Sequence, residues 1–178
     1  PDVDDPALLK GMFNAVQSLI DTNNILAWHD RSDGGLFTTL AEMAFAGNVG
    51  VKINLNSLPG DAIATLFNEE LGGVMQIRSN QYAEIMAVLE SFGLGDVVHL
   101  IGSLNDNADV EIWQSSELLF SKRVAELRQI WWQTSYQMQR LRDNPDCADQ
   151  EMDQISRADD PGISPRLTFD PRSSLIEF

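Results

Sequence analysis

Basic residues are scarce: 12 Lys and Arg stand against 27 Asp and Glu, a net charge of -15 over 178 residues. Such a balance speaks against a general nucleic-acid binder and against an anionic membrane surface as partner, because both reward clustered Lys and Arg. The exception it leaves is one small anionic ligand neutralised by a metal. Cysteine is nearly absent. Cys147 alone cannot build an internal disulfide framework or a Cys-rich zinc site, and a reducing cytoplasm is the expected setting. No apolar run approaches the ~20 residues that span a bilayer, and no basic-then-apolar leader opens the chain. An initiator methionine is also missing from the start, Pro1-Asp2-Val3-Asp4-Asp5. An excised segment of a longer polypeptide is expected, although removal of a tag would leave the same beginning. What is present is globular: a 43% hydrophobic fraction with four Trp and eight Phe suits one domain plus an appendage.

Periodicity places the elements. Leu8, Leu9, Met12, Phe13, Val16, Leu19 and Ile20 trace one face of a helix over Pro6–Ile20, with Asp5 as N-cap and Pro6 in its first turn. Ile25–His29 reads as a short buried strand. The turn Asp30-Arg31-Ser32-Asp33-Gly34-Gly35 then leads into a second helix that ends near Gly47. A half-buried strand is expected from Val51 to Leu55, a short helix over Asp61–Glu70, a strand over Val74–Arg78 and a helix over Gln81–Ser91. Strands at Val97–Ile101, Val110–Trp113 and Leu118–Phe120 complete a meander. Helices and strands interleave, yet several strands are joined by short turns, so the expected class is α+β, a mixed sheet covered by helices.

From about Ser121 the character changes. Val124, Leu127, Trp131, Thr134, Met138 and Leu141 recur at spacings of 3, 4, 3, 4 and 3, which marks one long amphipathic helix whose narrow apolar seam needs a partner surface. Asp143-Asn144-Pro145 is expected to stop it, and the remainder to Phe178 reads as a linker or an extended tail. The chain thus divides into a domain over 1–120 and a helix with tail over 121–178.

The turn around Asp30 carries the strongest chemical signal. Consecutive glycines at a strand-to-helix junction free backbone N–H groups to approach an oxyanion, and a Ser hydroxyl at position 32 can donate to phosphate. Asp30 and Asp33 would repel that phosphate unless a Mg²⁺ held by one carboxylate lies between. The alternative is a tight turn in which Ser32 or Asp33 caps the helix and Gly34 and Gly35 supply positive φ. No Lys-Ser/Thr follows the glycines, so it is not a Walker A loop. Glu69 and Glu70 offer a further carboxylate or else form an exposed helix end, and Glu42 reads as a solvated face. His29 is either a base or a satisfied sheet-end histidine, and His99 reads the same way. Cys147 sits in an acidic, exposed setting where a nucleophile is not expected. Trp131 and Trp132 read as packing rather than as a base-stacking platform.

Three stretches resemble one family closely: Ala27-Trp28-His29-Asp30-Arg31-Ser32-Asp33-Gly34-Gly35-Leu36, Leu40-Ala41-Glu42-Met43-Ala44-Phe45-Ala46-Gly47 and Leu66-Phe67-Asn68-Glu69-Glu70-Leu71-Gly72. Together with Met138-Gln139-Arg140-Leu141-Arg142-Asp143-Asn144-Pro145 and Cys147-Ala148 they are similar to the large, single-chain phosphoribosylformylglycinamidine synthases of purine biosynthesis. The resemblance implies the C-terminal, aminoimidazole ribonucleotide synthetase-like domain of the second synthetase half plus the connector toward a glutaminase domain. It implies an ATP-dependent ligase with glutamine as amido donor, in which formylglycinamide ribonucleotide is activated by phosphoryl transfer and ammonia displaces the phosphate. Within it, Asp30 matches a magnesium ligand and Ser32 an ATP or ADP contact, with Gly34 and Gly35 beside them, all at the auxiliary of two pseudo-equivalent nucleotide sites. The implied partners are the remaining synthetase domains and the glutaminase, with neither nucleic acid nor membrane. No catalytic residue falls in this segment, which is expected to be inactive alone. The competing expectation is a structural or interaction domain with no ligand of its own.

Overall fold

The computed structural model describes residues 2–157 and 166–170. Asp5 opens the first helix, α1 (Pro6–Asp21), its carboxylate accepting from the N–H groups of Ala7 at 2.8 Å and Leu8 at 3.1 Å. Strand β1 (Ala27–Asp30) leads through the glycine turn into α2 (Gly35–Gly47), closed by Asn48 in the left-handed conformation. Then come β2 (Gly50–Asn54), α3 (Ala62–Phe67) with Asp61 as its cap, β3 (Gly73–Gln76) and α4 (Tyr82–Ser91). The chain continues through β4 (Gly102–Asn105), β5 (Asp109–Gln114), β6 (Glu117–Arg123), α5 (Val124–Arg142) and α6 (Pro145–Ile155).

The strands form two sheets. An antiparallel ribbon pairs β1 with β3, Asp30 lying opposite Gly73. A four-stranded mixed sheet runs β4-β2-β5-β6, with β2 and β5 as its parallel pair. On its covered face Val51, Ile53, Val110 and Ile112 pack with Leu36, Leu40 and Ala44 of α2 and Val124 of α5. A second cluster, Ala15, Leu19, Ile85, Leu89 and Leu94, joins α1 and α4 beside the ribbon. Gly11 allows that approach, because a Cβ there would lie 2.6 Å from the Phe92 carbonyl oxygen. The α+β class with a mixed sheet covered by helices is therefore the fold, and no helix among the described residues is long and apolar enough to cross a membrane.

Three local readings are corrected. The apolar run Val97–Ile101 is not a strand: Gly95–Val97 is a 3-10 turn, Val98 and Ile101 pack against the two clusters, and the strand begins at Gly102. The helix expected to reach Glu70 ends at Phe67. The stretch after Arg142, expected as linker or extended tail, begins with α6. Asn144 and Pro145 start a second helix after the first has stopped, the Asn144 side-chain Oδ1 accepting from Asp146 N–H at 2.9 Å. The remainder of the expected tail lies largely outside the described residues. Strand β6 runs across the division expected between 120 and 121.

Helix α6 packs beside the seam of α5 rather than on it. Asp149 accepts from Arg140 Nε at 2.7 Å and from the Tyr136 hydroxyl at 2.7 Å. Along the seam, Val124 is buried and Leu127 packs on the main cluster, whereas Met138 is 66% and Leu141 90% exposed. The Arg140 guanidinium, then the Tyr136 hydroxyl, hold the Asp149 carboxyl below its ordinary value. A depressed folded value means the contribution is present at neutral pH and is lost as pH falls through and below the usual carboxylate range of ~4. Hydrogen exchange of α6 is therefore expected to accelerate in acid before the sheet opens. In Asp149→Asn it should already be fast at pH 7, and an unchanged acid profile in that variant would remove Asp149 from the account.

Candidate functional site

The segment between β1 and α2 turns on two consecutive left-handed glycines, Gly34 at φ 78° and Gly35 at φ 66°. Both are required by their surroundings. A Cβ on Gly35 would sit 2.6 Å from the Asn68 carbonyl oxygen and 2.8 Å from that of Leu66, where α2 starts against the end of α3. Gly34 is the N-cap of α2, and no side chain of the cap position serves the helix. Neither Ser32 nor Asp33 caps it; both are exposed, and the Ser32 carbonyl accepts from Gly35 N–H at 2.9 Å. Positive φ at the glycines is thus as expected, while side-chain capping is not what holds the turn.

Arg31, to which the sequence reading gave no role, and Glu69, read there as a further carboxylate or an exposed helix end, hold it instead. The Arg31 guanidinium reaches across to the opposite loop, Nε donating to the Glu70 carbonyl at 2.6 Å and Nη2 to the Leu71 carbonyl at 3.0 Å. Burial lowers the Arg31 pKa from its ordinary value, and the Glu70 charge works against that fall. The same loop places Glu69, whose Oε1 accepts from Gly34 N–H at 3.1 Å. A carboxylate therefore already lies at the N-terminus of α2, where the helix dipole favours negative charge. Glu69 and Glu70 lie beyond the helix end rather than on it.

Asp30 ends β1 with its side chain 73% exposed, and its nearest basic neighbour is His29 Nδ1 at 3.6 Å. Its backbone is less free: the Asp30 carbonyl oxygen takes His29 Nδ1 at 2.6 Å and the Thr39 hydroxyl at 3.2 Å. His29 is a satisfied sheet-end histidine, its Nε2 lying 2.9 Å from Glu42 Oε2. Glu42 is no solvated face, because its other oxygen accepts from Trp131 Nε1 at 3.0 Å. No amphipathic pattern could have shown that contact across 89 positions.

The exposed Asp30 carboxylate beside a glycine-opened helix start fits one ligand of a Mg²⁺ that also takes phosphate oxygens and water. Among the described residues no group of three or more His, Cys, Asp or Glu could hold a metal by itself, so phosphate oxygens or water would have to complete its coordination. A cleft of about 580 Å³ lies between the two core clusters, lined by Met12, Leu36, Val74 and Leu89 together with Arg31 and His99. Asp30 and Ser32 do not line it. Cys147 is free and exposed on α6, far in sequence from the turn. Trp131 packs on Phe45 with ring centroids 5.9 Å apart, in agreement with a packing role.

Comparison with known proteins identifies the fold. The family model described as AIR synthase related protein, C-terminal domain, matches residues 1–114. The chain is similar to the structure of PurLQS from Thermotoga maritima (15% identity, 69% of this chain and 22% of that one, TM-score 0.61). It is also similar to T. maritima PurL complexed with ATP (16% identity, 69% and 22%, TM-score 0.60). A third match is the hydrogenase maturation protein HypE in complex with ATP (20% identity, 62% and 40%, TM-score 0.51). The chain spans about a fifth of the length of the two T. maritima structures it matches.

Proposed function

From the premise that this chain belongs to the AIR synthase related protein, C-terminal domain family, we propose that it is a segment of a phosphoribosylformylglycinamidine synthase. In that reading residues 1–120 form the C-terminal domain of a synthetase half, and 121–178 connect it to a glutaminase. The longer enzyme is a cytoplasmic, ATP-dependent ligase of purine biosynthesis, using glutamine as the source of ammonia. The remaining synthetase domains and the glutaminase are the segment's partners.

One observation carries the site: an open carboxylate, Asp30, at the end of a strand that passes through two left-handed glycines into a helix start. Asp30 holds Mg²⁺, Ser32 donates its hydroxyl to ATP or ADP, and the backbone at Gly34 and Gly35 faces the phosphates. Asp30 would hold the metal, whose positive charge would offset the repulsion between phosphate and the Asp30 and Asp33 carboxylates. The site is auxiliary, and no residue of this segment handles the reacting amide. The purified chain given formylglycinamide ribonucleotide, Mg-ATP and ammonia is expected to release no ADP and form no amidine. Turnover would refute the assignment of the chemistry to other domains. In the intact ligase, Asp30→Asn should empty the auxiliary site of nucleotide.

Glu69 on Gly34 N–H favours a second reading, a structural domain whose helix start is already served. The two readings part on Glu69→Gln. If phosphate and Glu69 compete, the neutral side chain should tighten Mg-ADP binding two- to fivefold, since a charge at a helix start is worth about 0.5–1 kcal/mol. No Mg-ADP binding to either parent or variant in a calorimetric titration would favour the structural reading, and equal binding to both would show that Glu69 does not compete.

A further inference from the structure

We propose that Glu42 is a positioning residue that couples the seating of helix α5 on α2 to the geometry of the Asp30 turn, with Trp131 and His29 as its two contacts. The inference rests on the reading of Asp30 as a Mg-nucleotide ligand. It names a regulation of that site: the connector helix, which lies beyond the family-matched residues 1–114, sets how well the site is formed.

The path is continuous. Trp131 Nε1 of α5 donates to Glu42 Oε1 at 3.0 Å, Glu42 Oε2 lies 2.9 Å from His29 Nε2, and His29 Nδ1 lies 2.6 Å from the Asp30 carbonyl oxygen. The two links that end on the Glu42 carboxylate have normal hydrogen-bond lengths and are charge-assisted, and the contact from His29 to the Asp30 carbonyl is shorter still. Thr39, buried on α2, shares its hydroxyl between the same Asp30 carbonyl at 3.2 Å and the Gly35 carbonyl at 3.0 Å. The backbone of the candidate metal ligand is therefore pinned from two positions on α2, and one of these is itself held by α5.

Seating α5 does not need these polar links. Val124 is buried, Leu127 packs on the main cluster, and the Trp131 ring stacks obliquely on Phe45. Trp131 is 51% exposed, so water could serve its indole N–H. A carboxylate that takes this N–H and also orients the ring beside Asp30 does more than dock the helix. Any domain that moves α5 through its open, Met138- and Leu141-bearing half would pull on Glu42 and loosen His29. By reciprocity, a ligand that fixes Asp30 must tighten α5 by the same factor.

The test is hydrogen exchange on the whole 178-residue chain, read over residues 29–36 and 124–135, in Glu42→Ala, Glu42→Gln, Trp131→Phe and Tyr136→Phe. Glutamine keeps an oxygen for Trp131 and an amide that can donate to an unprotonated His29 Nε2. Tyr136→Phe loosens the same helix from α6 without touching the path. Exchange over 29–36 is expected to rise about fivefold or more in Glu42→Ala and Trp131→Phe, in line with common coupling strengths. It should stay within about twofold of the parent in Glu42→Gln and Tyr136→Phe. Trp131→Phe keeps the aromatic packing, so the test survives if Glu42→Ala fails to fold. Equal exchange in the parent and Trp131→Phe, a Gln variant no better than Ala, or a Tyr136→Phe effect of the same size would each overturn the coupling. Mg-ADP is then added: protection should appear at both 29–36 and 124–135 in the parent and weaken together in Trp131→Phe. If Mg-ADP protects neither segment of the parent, the nucleotide reading fails, while the ligand-free exchange still decides the coupling.

Discussion

Replacing Gly35 with alanine is expected to lower the unfolding free energy by about 2–5 kcal/mol, from a left-handed backbone penalty of about 1–2 and an overpacking penalty of about 1–3. The first part follows from φ at 66°. The second follows from what a Cβ would meet: the Asn68 and Leu66 carbonyl oxygens at 2.6 and 2.8 Å and the Phe67 carbonyl carbon at 2.8 Å. All three are backbone atoms, so relief requires α2 to move away from the end of α3, which disturbs the buried Leu36 and Leu66 together. Gly34 makes the internal control. There a Cβ would meet the Thr38 hydroxyl at 2.1 Å and Thr38 Cβ at 2.9 Å, atoms of one side chain and not of a packed backbone segment, so Gly34→Ala should destabilise less. Urea unfolding monitored by tryptophan fluorescence checks both, and a Gly35→Ala midpoint equal to the parent would contradict the backbone contact.

Arg31→Ala is expected to destabilise the chain by about 2–3 kcal/mol, since hydrogen bonds from a charged donor contribute about 1.5–3 kcal/mol each and relief of guanidinium burial returns part of the loss. The two bonds, to the Glu70 and Leu71 carbonyls, close the loop that follows α3 against the end of β1. With them gone, Glu69 is no longer held at Gly34. Lysine should recover only part of the stability, because its ammonium cannot present two fixed donors in one plane. A loss under 0.5 kcal/mol in Arg31→Ala, on the scale of a generic surface substitution, would show that β1 and β3 pairing alone positions the loop.

The helices were readable because their buried faces repeat at helical spacing: Ala15, Val16 and Leu19 in α1, and Ile85 and Leu89 in α4. The turn was readable because only glycine suits two successive left-handed positions. Strand β4 was not, since it lies at a sheet edge with exposed Gly102, Ser103 and Leu104, while the apolar residues before it serve the cores as irregular chain. Helix α6 was hidden by ambiguous punctuation, because Asn-Pro ends one helix and begins another with the same residues. In the site, Asp30, Ser32, Gly34 and Gly35 were visible as a local string. Arg31, Glu42 and Glu69 act through partners 13 to 89 positions away, and no local pattern carries such pairings.

The central claim is that the strand-to-helix turn binds a magnesium nucleotide through Asp30. The most direct measurement is a titration of the chain with ADP, with and without Mg²⁺, followed at the backbone amides of residues 30–37 by NMR, in the parent and in Asp30→Asn. NMR suits a site that supplies one wall, because weak saturable binding still moves the amide signals. The account predicts shifts at Ser32, Gly34, Gly35 and Leu36 that saturate, require Mg²⁺ and vanish in Asp30→Asn. Shifts of equal size in Asp30→Asn, or none in the parent at saturating Mg-ADP, would contradict it.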